Sequence, residues 1–196
     1  MRNSGSHIGT LCALAAAFLL AAGCSVNVKK NDNGEDKKVD IDTPFGGIHV
    51  NNGGDVRDTG LSVYPGAHLK PKDNSDDEKS ANVDISTSAF GLKVVAVEYQ
   101  SNDGPDKVAA YYRNELKKFG NVLECHTQGH GYPGFHPNSD QGDSEELKCD
   151  GDNQGRTIEL KSGTKSNQRI VAIDPKDDGS EFALVYVRVR GKEGTI

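Results

Sequence analysis

The chain has no tryptophan, few aromatic residues of any kind (6%) and only one long apolar run, while glycine occurs 23 times. With hydrophobic residues at 34%, a large close-packed core is excluded, and the composition predicts a loop-rich domain with a modest core. A surplus of basic residues is also missing. Lys and Arg number 23 against 29 Asp and Glu, a net charge of -6, and they are scattered along the chain instead of forming a stripe. Nucleic acid and anionic lipid are therefore not partners on charge alone. Neither a P-loop nor a G-x-S-x-G elbow is present, and no C-x-x-C pair has the spacing of a zinc site. The expectation is a protein that is not an enzyme and carries no cofactor.

What is present begins with a targeting segment. Arg2 precedes an apolar run from Leu11 to Ala22, and small residues follow it, the three-part form of a secretory signal. The run is about half of the roughly 20 residues that span a bilayer, and a strongly polar segment comes next, which argues against a membrane helix. Leu19-Leu20-Ala21-Ala22-Gly23-Cys24 resembles the lipobox of bacterial lipoproteins, with Ala21 where leucine is commonest. The resemblance implies cleavage before Cys24, a diacylglyceryl thioether on its sulfur and an amide-linked third acyl chain. Two chains already suffice for stable anchoring, at about 0.8 kcal/mol per buried methylene. Ser25, not aspartate, follows the cysteine, which in Gram-negative lipoproteins implies sorting to the outer membrane.

Of the four cysteines, Cys12 would leave with residues 1–23 and Cys24 would be acylated. Cys125 and Cys149 are then the remaining pair, and in an oxidising periplasm such a pair is expected to form a disulfide, stabilising the fold by about 3 to 4 kcal/mol.

Residues 24–59 hold short alternating runs through Val26 and Val28, through Val39 and Ile41, and through Ile48 and Val50, separated by Asn/Asp/Gly clusters. They predict a β-hairpin region. The piece from Val39 to Val50 resembles one rung of the β-solenoid adhesin-like domains of bacterial surface proteins. Three strands cannot build a capped solenoid, so a small hairpin appendage is expected.

Residues 60–191 predict an α+β domain, with 192–196 as a tail. Alternation around Val83 and Ile85, and from Leu92 to Gln100, gives two strands joined near Ala89-Phe90-Gly91. A helix over about 104–119 follows from Pro105 and Asp106 in its first turn, Asn102 or Asp103 as cap, the stripe Val108, Tyr112, Leu116 and Phe119, and the stop at Gly120. Strands are expected at 122–127, 145–150, 156–161, 168–174 and 181–190. One helix packed on one face of a twisted, mainly antiparallel sheet accounts for this order. The piece Val63-Tyr64-Pro65-Gly66-Ala67, with Asp103 to Tyr112 downstream, is also similar to a small α+β domain of uncharacterised bacterial lipoproteins, which implies a fold and no activity.

Chemistry is conceivable in one place. His126, His130 and His136, with Asp140 and Asp143 nearby, offer ligands that zinc, copper or nickel accept. The competing reading is a solvated loop tied at its base by Cys125 and Cys149, and the His130 to His136 spacing matches no rigid helical pair. Asp150 to Gly155 starts like a calcium loop, but Lys161 stands where a bidentate Glu is required. Tyr111 would cover the edge of the helix stripe or meet a partner. The acidic tract Asp73, Asp76, Asp77 and Glu78 reads as solvated loop. The expected role is a lipoprotein held to the outer membrane through Cys24, non-catalytic, with an envelope protein as its partner; the alternative is a metal-binding lipoprotein.

Overall fold

Period-two alternation and β-branched side chains recur along the sequence after residue 24, and the chain answers with an antiparallel sheet. The computed structural model describes residues 25–30, 37–51, 53–71, 80–128, 144–149 and 153–191. The strands are β1 (Ser25–Lys30), β2 (Lys37–Thr43), β3 (Gly46–Asn51), β4 (His68–Leu69), β5 (Ser80–Thr87), β6 (Phe90–Ser101), β7 (Val122–Thr127), β8 (Thr157–Thr164), β9 (Asn167–Lys176) and β10 (Gly179–Gly191). They join in one sheet in the order β1-β2-β3-β5-β6-β10-β9-β8-β7, with β4 paired to β6. Two helices are present among the described residues: α1 (Val56–Thr59) and α2 (Pro105–Leu116), the latter running into a 3₁₀ turn over Lys117–Phe119.

The last strand is the central one. β10 pairs with β6 from Ser180↔Ser101 to Gly191↔Phe90 and with β9 from Gly179↔Lys176 to Arg188↔Asn167. Because side chains alternate between faces, this register sorts the sheet. Val97, Tyr99, Leu160, Val171, Ile173, Phe182 and Leu184 pack with α2 residues Val108, Ala109, Tyr112 and Leu116 in one core. On the other face Ala96, Ile170, Val185 and Val187 form a second, smaller cluster.

α2 forms where its composition predicts. Pro105 occupies its first turn, Asp106 complements the dipole, and the four core residues are fully buried. Its cap differs from expectation. Gly104 holds the N-cap position with no side-chain bond, because Asp103 is committed elsewhere: Tyr64 Oη donates to it at 2.7 Å and Lys107 Nζ at 2.8 Å. Phe119 lies in the 3₁₀ turn, and the Arg169 guanidinium sits over its ring at 4.0 Å and over Tyr186 at 4.6 Å. Tyr111 packs edge-on against Tyr64 and Tyr112, at centroid distances of 5.2 and 5.0 Å.

Two further expectations change. The hairpin region at 24–59 is not an appendage to the sheet, since β3 pairs with β5 from Gly46↔Thr87 to Asn51↔Asn82 and continues it outward. The wing so formed offers hydrogen-bonding edges on both sides, and β5 takes the inner one. Residues 144–149 are not a strand. They form a strap held by hydrogen bonds from Lys165 N to Glu145 O (3.0 Å) and from Lys161 Nζ to Lys148 O (3.4 Å), and by the pairing of Cys149 with Cys125 at disulfide distance, 2.01 Å between sulfurs.

The strap lies on the face opposite α2, where the register places Cys125 beside Glu159, and Leu123 beside Lys161. Glu159 and Lys161 are buried there, 3% and 4% exposed, and pair at 2.9 Å. Removing Lys161 leaves the Glu159 charge buried without its cation. Lys161→Met is expected to cost about 3–5 kcal/mol in urea unfolding, while Lys161→Met with Glu159→Leu restores most of that loss. A single variant as stable as the parent contradicts this reading of the pair.

Candidate functional site

A groove of about 700 Å³ opens where α2 passes β7. The helical spacing that buries Val108, Tyr112 and Leu116 turns Ala110, Arg113, Asn114 and Lys117 outward along it, and the alternation in β7 puts Val122 and Glu124 on the helix side. The centre of the groove is an ion pair. Arg113 Nε donates to Glu124 Oε2 at 2.6 Å and Nη2 to Oε1 at 2.9 Å, a two-bond fork. The guanidinium holds the Glu124 carboxyl below its ordinary range, and the carboxylate in turn raises Arg113. His126, two residues along the same face, brings Nε2 to 3.7 Å from Glu124 Oε1.

Both Glu124 oxygens are occupied, which leaves a poor proton acceptor. No Ser, Thr or Cys lines the groove among the described residues. Asn114, Lys117 and Asn121 offer neutral and cationic donors, with Lys117 Nζ already 3.1 Å from Asn114 Oδ1.

The sequence-predicted site residues divide sharply. Cys125 is fully buried and paired with Cys149, whose sulfur also lies 3.6 Å from the Glu124 carbonyl oxygen. His126 is half-buried on the opposite face, as adjacent residues of a strand must be, and its backbone N–H donates to Asn153 Oδ1 at 2.5 Å. Cys24, His130, His136, Asp140 and Asp143 lie outside the described residues, as do Asp150 to Asp152 of the calcium-like turn. Among the described residues no group of three His, Cys, Asp or Glu side chains could hold a metal ion. The Glu124 carboxylate beside His126 is one that Arg113 already grips.

Sequence reading misses two clusters. The Arg113–Glu124 fork is one, although Val122, Glu124 and His126 already alternate onto one face. The other is His49, whose Nδ1 lies 3.0 Å from Asp40 Oδ1 and Nε2 3.7 Å from Asp42 Oδ1, across the β2–β3 ladder. Hydrogen bonds from His49 and Lys38 hold Asp40 below the ordinary carboxyl range. Compared with known protein families, curated proteins and solved structures, the chain matches none.

The Glu124 shift sets the sign of a pH effect. A carboxyl held below its ordinary value near 4.5 contributes stability above that value and loses it as pH falls through the folded-state one. Both partners are about one-third exposed, so solvent screening keeps the contribution small. Glu124→Gln is expected to lower stability by about 1 kcal/mol or less near neutral pH, and the gap to the parent closes under acid. Thermal unfolding followed across the acid range checks this, and a gap that widens toward low pH contradicts it.

Proposed function

We propose that the chain is a bacterial lipoprotein, held through an acylated Cys24 to the outer membrane, with a non-catalytic module that serves an interaction or structural role in the cell envelope. The observation that carries this reading is the segment Leu19-Leu20-Ala21-Ala22-Gly23-Cys24, at the end of an apolar run that follows Arg2. A further fact supports it. Strand β1 starts at Ser25, so folded structure begins immediately after the cysteine, without a long tether.

The module is read as an α+β unit in which α2 covers one sheet face, and the groove at Arg113 and Glu124 is the place where an envelope partner with polar or carboxylate groups finds donors. The Glu124 carboxylate, with both oxygens held by Arg113, supports binding over turnover.

The test is expression of the full chain in a Gram-negative host fed an alkyne fatty acid. The parent is expected in the membrane fraction carrying the label, and Cys24→Ala in the soluble fraction without it. A parent chain that is unlabelled and soluble overturns the reading.

A further inference from the structure

Six large hydrophobic side chains are exposed among the described residues: Val26, Phe45, Ile48, Val63, Leu69 and Phe90. Four of them gather at one end of the sheet. Ser25 pairs with Asp42, so β1 enters beside the β2–β3 turn that carries Phe45. Gly46 pairs with Thr87, so the β5–β6 turn, followed by Phe90, lies at that same end. Val26, Ile41, Ile48, Ile85 and Leu92 are joined through successive pairings into one cross-strand row running up to this tip. The exposures are 63% for Val26, 79% for Phe45, 38% for Ile48 and 40% for Phe90.

The two turns are also built alike. One reads Thr43-Pro44-Phe45-Gly46 and the other Thr87-Ser88-Ala89-Phe90-Gly91. In each the threonine hydroxyl donates to a backbone carbonyl across the turn, Thr43 to Gly46 O at 2.8 Å and Thr87 to Phe90 O at 2.9 Å. In each it accepts from the turn's backbone, from Phe45 N at 3.3 Å and from Phe90 N at 2.8 Å. The phenylalanines are thus presented on loops whose backbone polar groups are partly satisfied from within, which lowers the cost of leaving water. Gly46, at φ 151, abuts the Ser86 carbonyl so closely that no larger residue fits, and the tip stays flush with its neighbour.

We infer that this tip is a second membrane contact: Phe45 and Phe90, flanked by Val26 and Ile48, insert among the acyl chains of the leaflet that holds Cys24. The inference rests on the anchoring reading, because Cys24 is the residue covalently before β1 and brings its lipid to this end of the sheet. One lipid signal plus an apolar protein surface fixes orientation as well as attachment. Charge does not drive it. Arg190 is exposed beside the tip, but so is Asp42, and the row next to it alternates Asp40, His49, Asp84, Lys93 and Arg188.

The absence of tryptophan makes a direct test possible, since any introduced tryptophan reports alone. Full chains bearing Phe45→Trp, Phe90→Trp or Leu69→Trp are purified from membranes and reconstituted into vesicles of phosphatidylcholine brominated on its acyl chains. Leu69 is 61% exposed and pairs with Tyr99, toward the other end of β6, so it serves as the control. The first two variants are expected to show a blue shift and to lose most of their emission to bromine, and Leu69→Trp to keep its own. The mass of the N-terminal peptide from the same sample reads acylation of Cys24 separately. With Cys24 acylated, a Phe45→Trp reporter as water-exposed as Leu69→Trp overturns the insertion and leaves the anchor standing. With Cys24 unmodified the anchor fails; quenching of Phe45→Trp on adding such vesicles still upholds the tip, and its absence overturns both. A blue shift that depends on protein concentration and occurs without quenching assigns the tip to a second copy of the chain and overturns the membrane contact.

Discussion

The register of β10 is the constraint from which the remaining structure follows. It is bonded on one side to β6 and on the other to β9, so both halves of the sheet take their side-chain parity from one strand. A slip of one residue against either neighbour would carry Phe182, Leu184 and Tyr186 away from α2 and bring Ala183, Val185 and Val187 beneath it. Aromatic packing resists that slip. Phe182 stacks on Tyr99 at 5.7 Å and meets Tyr112 at 5.6 Å, while Tyr112 accepts from Tyr64 N–H at 3.0 Å and donates to the Ser62 carbonyl at 3.1 Å. Burial pushes the Tyr112 hydroxyl well above its ordinary range, which keeps it a neutral donor at any physiological pH. One fully buried tyrosine thus ties the segment after α1, the helix α2 and the central strand together.

The same parity sorts the two faces of the sheet. The helix face carries the aromatic core and, at its margin, the Arg113–Glu124 groove. The opposite face is apolar from the wing to the centre and ends in the Glu159–Lys161 pair beneath the strap. A buried ion pair is a poor source of stability but a demanding one geometrically, since it tolerates no partial assembly. The strap, fixed to β7 through Cys125 and Cys149 and to the β8–β9 turn through Glu145, closes that side. The wing carries Val26, Phe45 and Ile48 among the exposed large hydrophobic residues, and it is the part that follows Cys24 directly.

Local pattern told much of this and long-range pairing told little. The spacing of Val108, Tyr112 and Leu116, with Pro105 ahead of them, places α2 to within a residue or so, and strands β6, β7, β9 and β10 fall close to their alternating runs. Such runs state a face and never a partner, so nothing local reveals that β3 bonds β5 or that β10 inserts beside β6. Residues 144–149 look like a strand because Leu147 and Cys149 alternate, yet they join no ladder of the sheet and are held over its face by the tie to Cys125 and the bonds to Lys161 and Lys165. α1 is one turn long, capped by Asp55 and ended by Gly60 at φ 73, too short for periodicity to register. Asp103 seemed a helix cap only because its bond to Tyr64 spans 39 residues. The groove was invisible for the same reason: Arg113 and Glu124 are unremarkable until β7 turns back under the helix.

The strand after Cys24 and the helix-covered core belong to one sheet, which fixes how the wing is held relative to the groove. The pairing of β3 with β5 is the link. Nuclear Overhauser contacts in the folded full chain, between Ile48 and Ile85 and between His49 and Asp84, measure it directly. Both sets present, alongside those joining β6 to β10, are the predicted result. Contacts within the β2–β3 hairpin and none from β3 to β5 would contradict the account, leaving the wing on a tether and the core free to turn.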